Sequence, residues 1–183
     1  MHLYKLLKNI CVVVITLCTF IAKAQDKATG NLTAIQELLN KAGYYTKQSQ
    51  YDSASSFLHR AISQSQKNNF QKGEAMAYDQ LAELMLTIGK LAEVRKYDSL
   101  IMPIASKIKD TSLLINVHNR TGVYYMERGK NKEAEQSFNT ALGLGLEKQA
   151  SKKTAEVNSN LGSLYLALGD KDKAIDRFFK ALR

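Results

Sequence analysis

The stretch Asn158–Leu182, NSNLGSLYLALGDKDKAIDRFFKAL, decides the fold. Leu161, Gly162 and Tyr165 fall on one helical face, Gly169 and Asp170 interrupt it, and Ala174, Phe178 and Ala181 return on one face of a second helix. Two amphipathic helices joined by residues that leave a helix easily make a hairpin. A helix of about 16 residues is marginal alone in water, so this hairpin needs something to bury its apolar faces against.

The chain itself supplies it, at a period of 40 residues. With Ala155 as slot 1, the small slot 8 reads Ala42, Ala82, Gly122 and Gly162, and the ring slot 11 reads Tyr45, Met85, Tyr125 and Tyr165. The turn slot 15 reads Ser49, Gly89, Gly129 and Gly169, while slot 24 reads Leu58, Asp98, Phe138 and Phe178. Eight helices follow from this register, in units of about 32–70, 71–110, 111–150 and 151–183. The expected fold class is all-α.

Leu161-Gly162-x2-Tyr165 followed by Ala174-x3-Phe178 resembles the tetratricopeptide repeat, whose pattern runs W-x2-L-G-x2-Y…A-x3-F; only the Trp slot, here Asn158, departs from it. The family's usual repeat is about 34 residues, so longer helices are expected in each 40-residue unit, as in some exported bacterial members. The resemblance implies a right-handed α-α superhelix of four hairpins whose first helices line a concave groove. It also implies binding of peptides, extended segments or helices of other proteins.

The first 24 residues stand apart. Lys5 and Lys8 precede an apolar run from Ile10 to Ile21, and Ala22-Lys23-Ala24 follows, which is the order of a secretory signal peptide cleaved after Ala24. The run is short for an uncleaved anchor, which would need about 20 apolar residues. Export to the periplasm or medium is expected, with Gln25 to Asn31 as a polar lead-in. Both cysteines, Cys11 and Cys18, lie in the leader, so the remaining chain must hold by packing alone.

Removing Lys5, Lys8 and Lys23 from 26 basic residues leaves 23 against 17 acidic ones, a net charge of +6. The cations are interleaved with acids, as in Lys130-Asn131-Lys132-Glu133, which reads as a solvated surface and not as a nucleic-acid footprint. Protein or peptide partners are expected, without nucleic acid and without membrane insertion of the mature domain.

Several positions break the repeat. Asp98 takes a slot that Phe138 and Phe178 fill elsewhere, so Val94, Tyr97, Ile101 and Ile104 are expected to carry that packing. Pro103, the only proline, predicts a kink or an early end to its helix, and Gly143 with Gly145 predicts a slightly frayed or bent end to the helix expected over roughly Lys132 to Glu147. Asp110 is placed to cap the helix after it. The last unit stops a turn short, leaving Phe178, Phe179 and Leu182 without an obvious cover and open to self-association or to a continuation of the chain.

Slots 2, 5, 6 and 9 lie opposite the packing slots and are expected to face the groove. They supply Asp79, Gln80, Glu83, Asn116, Asn119, Arg120, Ser159, Asn160 and Ser163 as candidate partner-binding residues, with Leu39, Asn40 and Gly43 at the same slots of unit one. Side-chain amides both donate and accept, so such a ladder can pair with an extended peptide backbone. Chemistry has little support: His59 and His118 lie on different units, and no carboxylate cluster, phosphate loop or nucleophile elbow appears. The acid pairs Glu133/Glu135 and Asp170/Asp172 sit near helix starts, where they complement the dipole. The pairs Tyr44-Tyr45 and Tyr124-Tyr125 are expected to be packing. No enzyme, cofactor or metal site is expected.

Two functions remain from this reading. One is an exported interaction module or scaffold that holds a partner in its groove. The other is the N-terminal sensory region of a larger membrane-bound signalling protein, of the histidine kinase or transcriptional regulator type.

Overall fold

A computed structural model describes residues 32–149 and 151–182, with Ser151 given by its backbone alone. The leader, its cleavage point and the lead-in lie outside the described residues. Eight helices and no strands are described: α1 (residues 32–47), α2 (Tyr51–Lys67), α3 (Gln71–Thr87), α4 (Leu91–Ile108), α5 (Thr111–Met126), α6 (Asn131–Glu147), α7 (Ser151–Ala167) and α8 (Lys171–Ala181). Consecutive helices pack antiparallel, and α3 also touches α5 as α5 touches α7, so the odd-numbered helices form an inner layer. The chain is an all-α helical solenoid.

The turns have one construction. Ser49, Asn69, Gly89, Lys109, Gly129, Gln149 and Gly169 all take positive φ, which puts a left-handed residue at every twentieth position. After six of these turns the next amide donates to a carbonyl five residues back, as from Lys90 to Met85 and from Lys130 to Tyr125, both within 2.9 Å. This closes the free carbonyls of the finished helix and starts the next one antiparallel. Asp110 and Asp170 then cap α5 and α8, each accepting at 3.2 Å from the amide three residues on.

Small residues set how near the two helices of a hairpin come. A Cβ at Gly162 would lie 2.6 Å from the Phe178 ring, and one at Gly122 would overlap Phe138. In unit one the same pair of slots holds Ala42 and Leu58, both wholly buried. Ring against glycine and branched chain against alanine are two solutions to one volume constraint.

No hairpin owns its core. One cluster joins Ile35, Leu39 and Ala42 of α1 to Leu58 of α2 and Leu81 of α3; a second joins Ala82, Ile101 and Val117 across α3, α4 and α5; a third runs from Ile115 through Phe138 to Leu161 and Ala174. Each buried Leu, Ile or Phe contributes about 1.5–3 kcal/mol, and much of that depends on the neighbouring unit being in place.

Several expectations need correction. Helix α4 does not end early at Pro103 but continues to Ile108. Pro103 is exposed, and the carbonyl its missing amide would serve belongs to Ser99 on the same solvated side. Helix α6 reaches Glu147, as its expected span has it, and passes through both glycines; Gly145 is a point of close approach, where a Cβ would lie 2.5 Å from Thr154 of α7. Tyr44 is 60% exposed instead of packed, and Tyr124 is half-buried with Arg95 and Arg128 stacked over its ring at 5.2 and 4.5 Å. Phe178 finds cover against Gly162, whereas Ile175, Phe179 and Leu182 of the last helix stay exposed.

Two substitutions separate the roles of the helical glycines. Gly122→Ala drives a methyl into the Phe138 ring and is expected to lower stability by about 1–3 kcal/mol. Gly143→Ala meets nothing within 4 Å and is expected to raise it by about 0.5–1 kcal/mol. Urea unfolding monitored by circular dichroism measures both, and equal effects would contradict the close-approach account.

Candidate functional site

The inner helices meet along a polar seam. Asp79, Gln80 and Glu83 of α3, Asn116, Asn119 and Arg120 of α5, and Lys152, Lys153 and Glu156 of α7 line an open cavity of about 380 Å³. A second, of about 360 Å³, continues it towards Lys72 and Asp110 and shares Asp79, Gln80, Asn116 and Lys153. Spacings of three and four residues bring each helix's three groups to one side.

The seam has its own register. Asn116 donates to Asp79 at 2.8 Å, Lys153 donates to Asn116, and Asn119 donates to Glu156 at 2.7 Å, each across 37 residues. Asn160 donates to Asn119 at 2.9 Å across 41 residues, the same separation at which Arg120 pairs with Asp79. A residue on one inner helix therefore touches two residues, one turn apart, on the next.

Arg120 is the centre. Its Nε and Nη2 donate to Asp98 Oδ1 at 2.9 and 2.7 Å, Nη2 lies 2.9 Å from Asp79 Oδ1, and Nη1 lies 3.8 Å from Glu83. The Arg120 and Asp98 side chains are 3% and 1% exposed. Asp98 thus occupies the space that a phenylalanine ring fills in units three and four, and an arginine from the next unit reaches in to meet it.

One guanidinium serves three carboxylates, and the titrations follow from that. Burial works against the charged Arg120, but Asp79 and Asp98 outweigh it and raise its pKa. Burial raises the Asp98 carboxyl, and Arg120 only partly offsets it. Glu83 is raised by desolvation, and Glu156 and Asp79 add to this against the pull of Arg120. His118 is half-buried on the same helix, and burial lowers its pKa. Among the described residues no group of three or more His, Cys, Asp or Glu is placed to hold a metal ion, and no helix is long and apolar enough to cross a membrane.

Six of the nine residues expected at the groove line this cavity: Asp79, Gln80, Glu83, Asn116, Asn119 and Arg120. Asn119 and Arg120 are buried there, contrary to the expectation that their slots face away from helical neighbours, because the adjacent inner helix covers them. Leu39 is buried for the same reason. Nor is the amide ladder open, since Asn116, Asn119 and Asn160 bond to one another's neighbours across the seam. Ser159 and Ser163 are exposed outside the cavity, and the Ser163 hydroxyl donates to the Ser159 carbonyl. Asp98, Lys152, Lys153 and Glu156 were missed. Glu156 shares slot 2 with Asn116, which was the available signal; Asp98 read only as a packing lapse.

Residues 113–183 match the family model of the tetratricopeptide repeat. Among solved structures, BtubC (BKLC) from P. vanneervenii is 21% identical with a TM-score of 0.65 over 81% of this chain, which spans 62% of the length of BtubC. A thermophilic TPR protein of Thermus thermophilus, TTC0263, is also 21% identical, over 81% of this chain and 90% of that one, with a TM-score of 0.47. The likeness to BtubC shows the fold alone. No curated protein matches significantly.

Arg120→Met leaves Asp98 buried and unpaired, and is expected to cost about 3–5 kcal/mol in urea unfolding. Replacing both with Arg120→Met and Asp98→Leu should recover most of this, because the penalty lies in the uncompensated charge. The pH dependence has a defined sign. A carboxyl raised in the folded state favours folding below its unfolded value near pH 4 and loses that contribution as pH rises through the raised value. Wild-type stability minus that of Asp98→Asn should therefore shrink as pH increases; a growing difference would mean that Arg120 overrides burial.

Proposed function

We propose that the tetratricopeptide match of residues 113–183 extends through all four hairpins, and that the chain is an exported protein–protein interaction module whose inner face, between α3, α5 and α7, holds a segment of a partner protein. The observation that supports this most is the pair of adjoining cavities, which share four lining residues and together make one trough across three inner helices. Its floor is the bonded seam around Arg120. The seam residues hold the shape of the trough, and recognition falls to the side chains at its mouth, Gln80 and Glu83.

The export half of the proposal rests on the Met1–Ala24 pattern. Cell fractionation with N-terminal sequencing is expected to find the chain outside the cytoplasm and beginning at Gln25; a chain retained in the cytoplasm would refute it.

The groove half is tested by affinity capture from the exported fraction. Replacing Gln80 and Glu83 together with Ala should leave stability within about 0.5 kcal/mol per site and reduce capture about tenfold or more, equivalent to about 1.4 kcal/mol. Replacing Lys132, Gln136 and Asn139 on the exposed side of α6 should change nothing. Loss of capture with the α6 set instead would move the binding surface off the inner face.

A further inference from the structure

The groups facing the trough divide into those already engaged and those still open. The Lys153 ammonium donates to Asn116, the Asn116 amide to Asp79, and the Asn119 amide to Glu156. Arg120 is taken by Asp98 and Asp79, so its charge is matched before any ligand arrives. Beside Gln80 and the exposed Lys152, the groups with open capacity are two carboxylates. Glu83 has only the 3.8 Å approach of Arg120 and a side chain 62% exposed, and Glu156 has a second carboxylate oxygen beyond the one Asn119 holds.

The interior of the seam shows the same imbalance. Asp98 Oδ2 and Asp79 Oδ1 are buried without a hydrogen-bond donor, although Asp79 Oδ1 keeps its ionic contact with Arg120. Among the buried side-chain atoms of this cluster, the ones without a hydrogen-bond partner are acceptors. A ligand carboxylate would add further acceptors, and a neutral amide would add an acceptor with every pair of donors. A guanidinium brings five donors and no acceptor, in a planar fork that matches carboxylates.

We propose that the trough receives a basic segment of its partner, with an arginine or lysine side chain seated between Glu83 of α3 and Glu156 of α7. The proposal rests on the reading of the trough as a binding surface and specifies what it binds. Glu83 and Glu156 stand on either side of α5 in one cavity, near enough for the Glu156 charge to act on Glu83. A cation between them would pair with both carboxylates, adding to the pull that Arg120 and Lys153 already exert on Glu83. Lys152 is exposed one turn ahead of Glu156, and its flexible stem can turn to water as the segment enters. Because Asp98 cancels Arg120 from behind, the one buried cation of the seam does not repel a basic ligand.

The test is fluorescence anisotropy with the full chain at low ionic strength, using fluorescein-labelled Gly-Gly-Arg-Gly-Arg-Gly-Gly and the counterpart with Glu at both arginine positions. The arginine peptide is expected to bind saturably and the glutamate peptide not to bind. Glu83→Gln and Glu156→Gln should each weaken the arginine peptide about fivefold, and added salt should weaken it further. Equal or tighter binding of the glutamate peptide, an arginine-peptide affinity unchanged in both variants, or absence of saturable binding would each overturn the proposal. Failure here together with groove-dependent capture of a partner would leave the trough as the interface and remove only the basic segment.

Discussion

Close approach between the two helices of each hairpin is the constraint on which the rest of this structure depends. Where Phe138 lies on Gly122 and Phe178 on Gly162, the absence of a Cβ lets the ring settle against the backbone. That contact sets the spacing within a hairpin, and the left-handed turn residues set the distance along the chain at which the next helix begins. Once both repeat, each hairpin presents its remaining apolar face in the same orientation, and the neighbour covers it. The three core clusters all cross a unit boundary for this reason.

Unit two departs from that scheme, and the departure makes the seam. Asp98 cannot fill the volume of a ring against Ala82, and it cannot lie buried and unpaired without a large penalty. Arg120 of the following unit supplies the charge and much of the volume. A buried ion pair contributes little net stability, but breaking it by removing one partner is costly, which holds Arg120 and Asp98 together. The polar junction between α4 and α5 thus ties the register of unit three to unit two and draws Asp79 and Asn116 into one bonded network.

Much of this was legible in particular residues. Gly89, Gly129, Gly169 and Ser49 marked the turns within hairpins because they leave a helix readily, and all four take positive φ. Asp110 marked a helix start and caps α5. The turns between hairpins were harder to see, since Lys109 and Gln149 carry no preference for a left-handed backbone and are held there by the helices on either side. Pro103 misled, and the contact role of Gly145 went unread, because a local propensity was read without knowing which side of the helix faced solvent and which faced a neighbour. Proline is tolerated where its missing donor would have faced water, and glycine is required where another helix comes within contact distance.

The 40-residue period in the sequence determined the helices, their pairing into hairpins and the residues that occupy equivalent positions. It left open which slot of one inner helix meets which slot of the next. Stacking decided that: the bonded pairs lie 37 and 41 residues apart, on either side of the period, because neighbouring inner helices are offset and each side chain settles between two successive turns of the helix beside it. A period is a property of one unit repeated along the chain, whereas an offset arises from how two units share a surface. Slots that a single helix would turn towards water are, for that reason, where Asn119 and Arg120 lie buried.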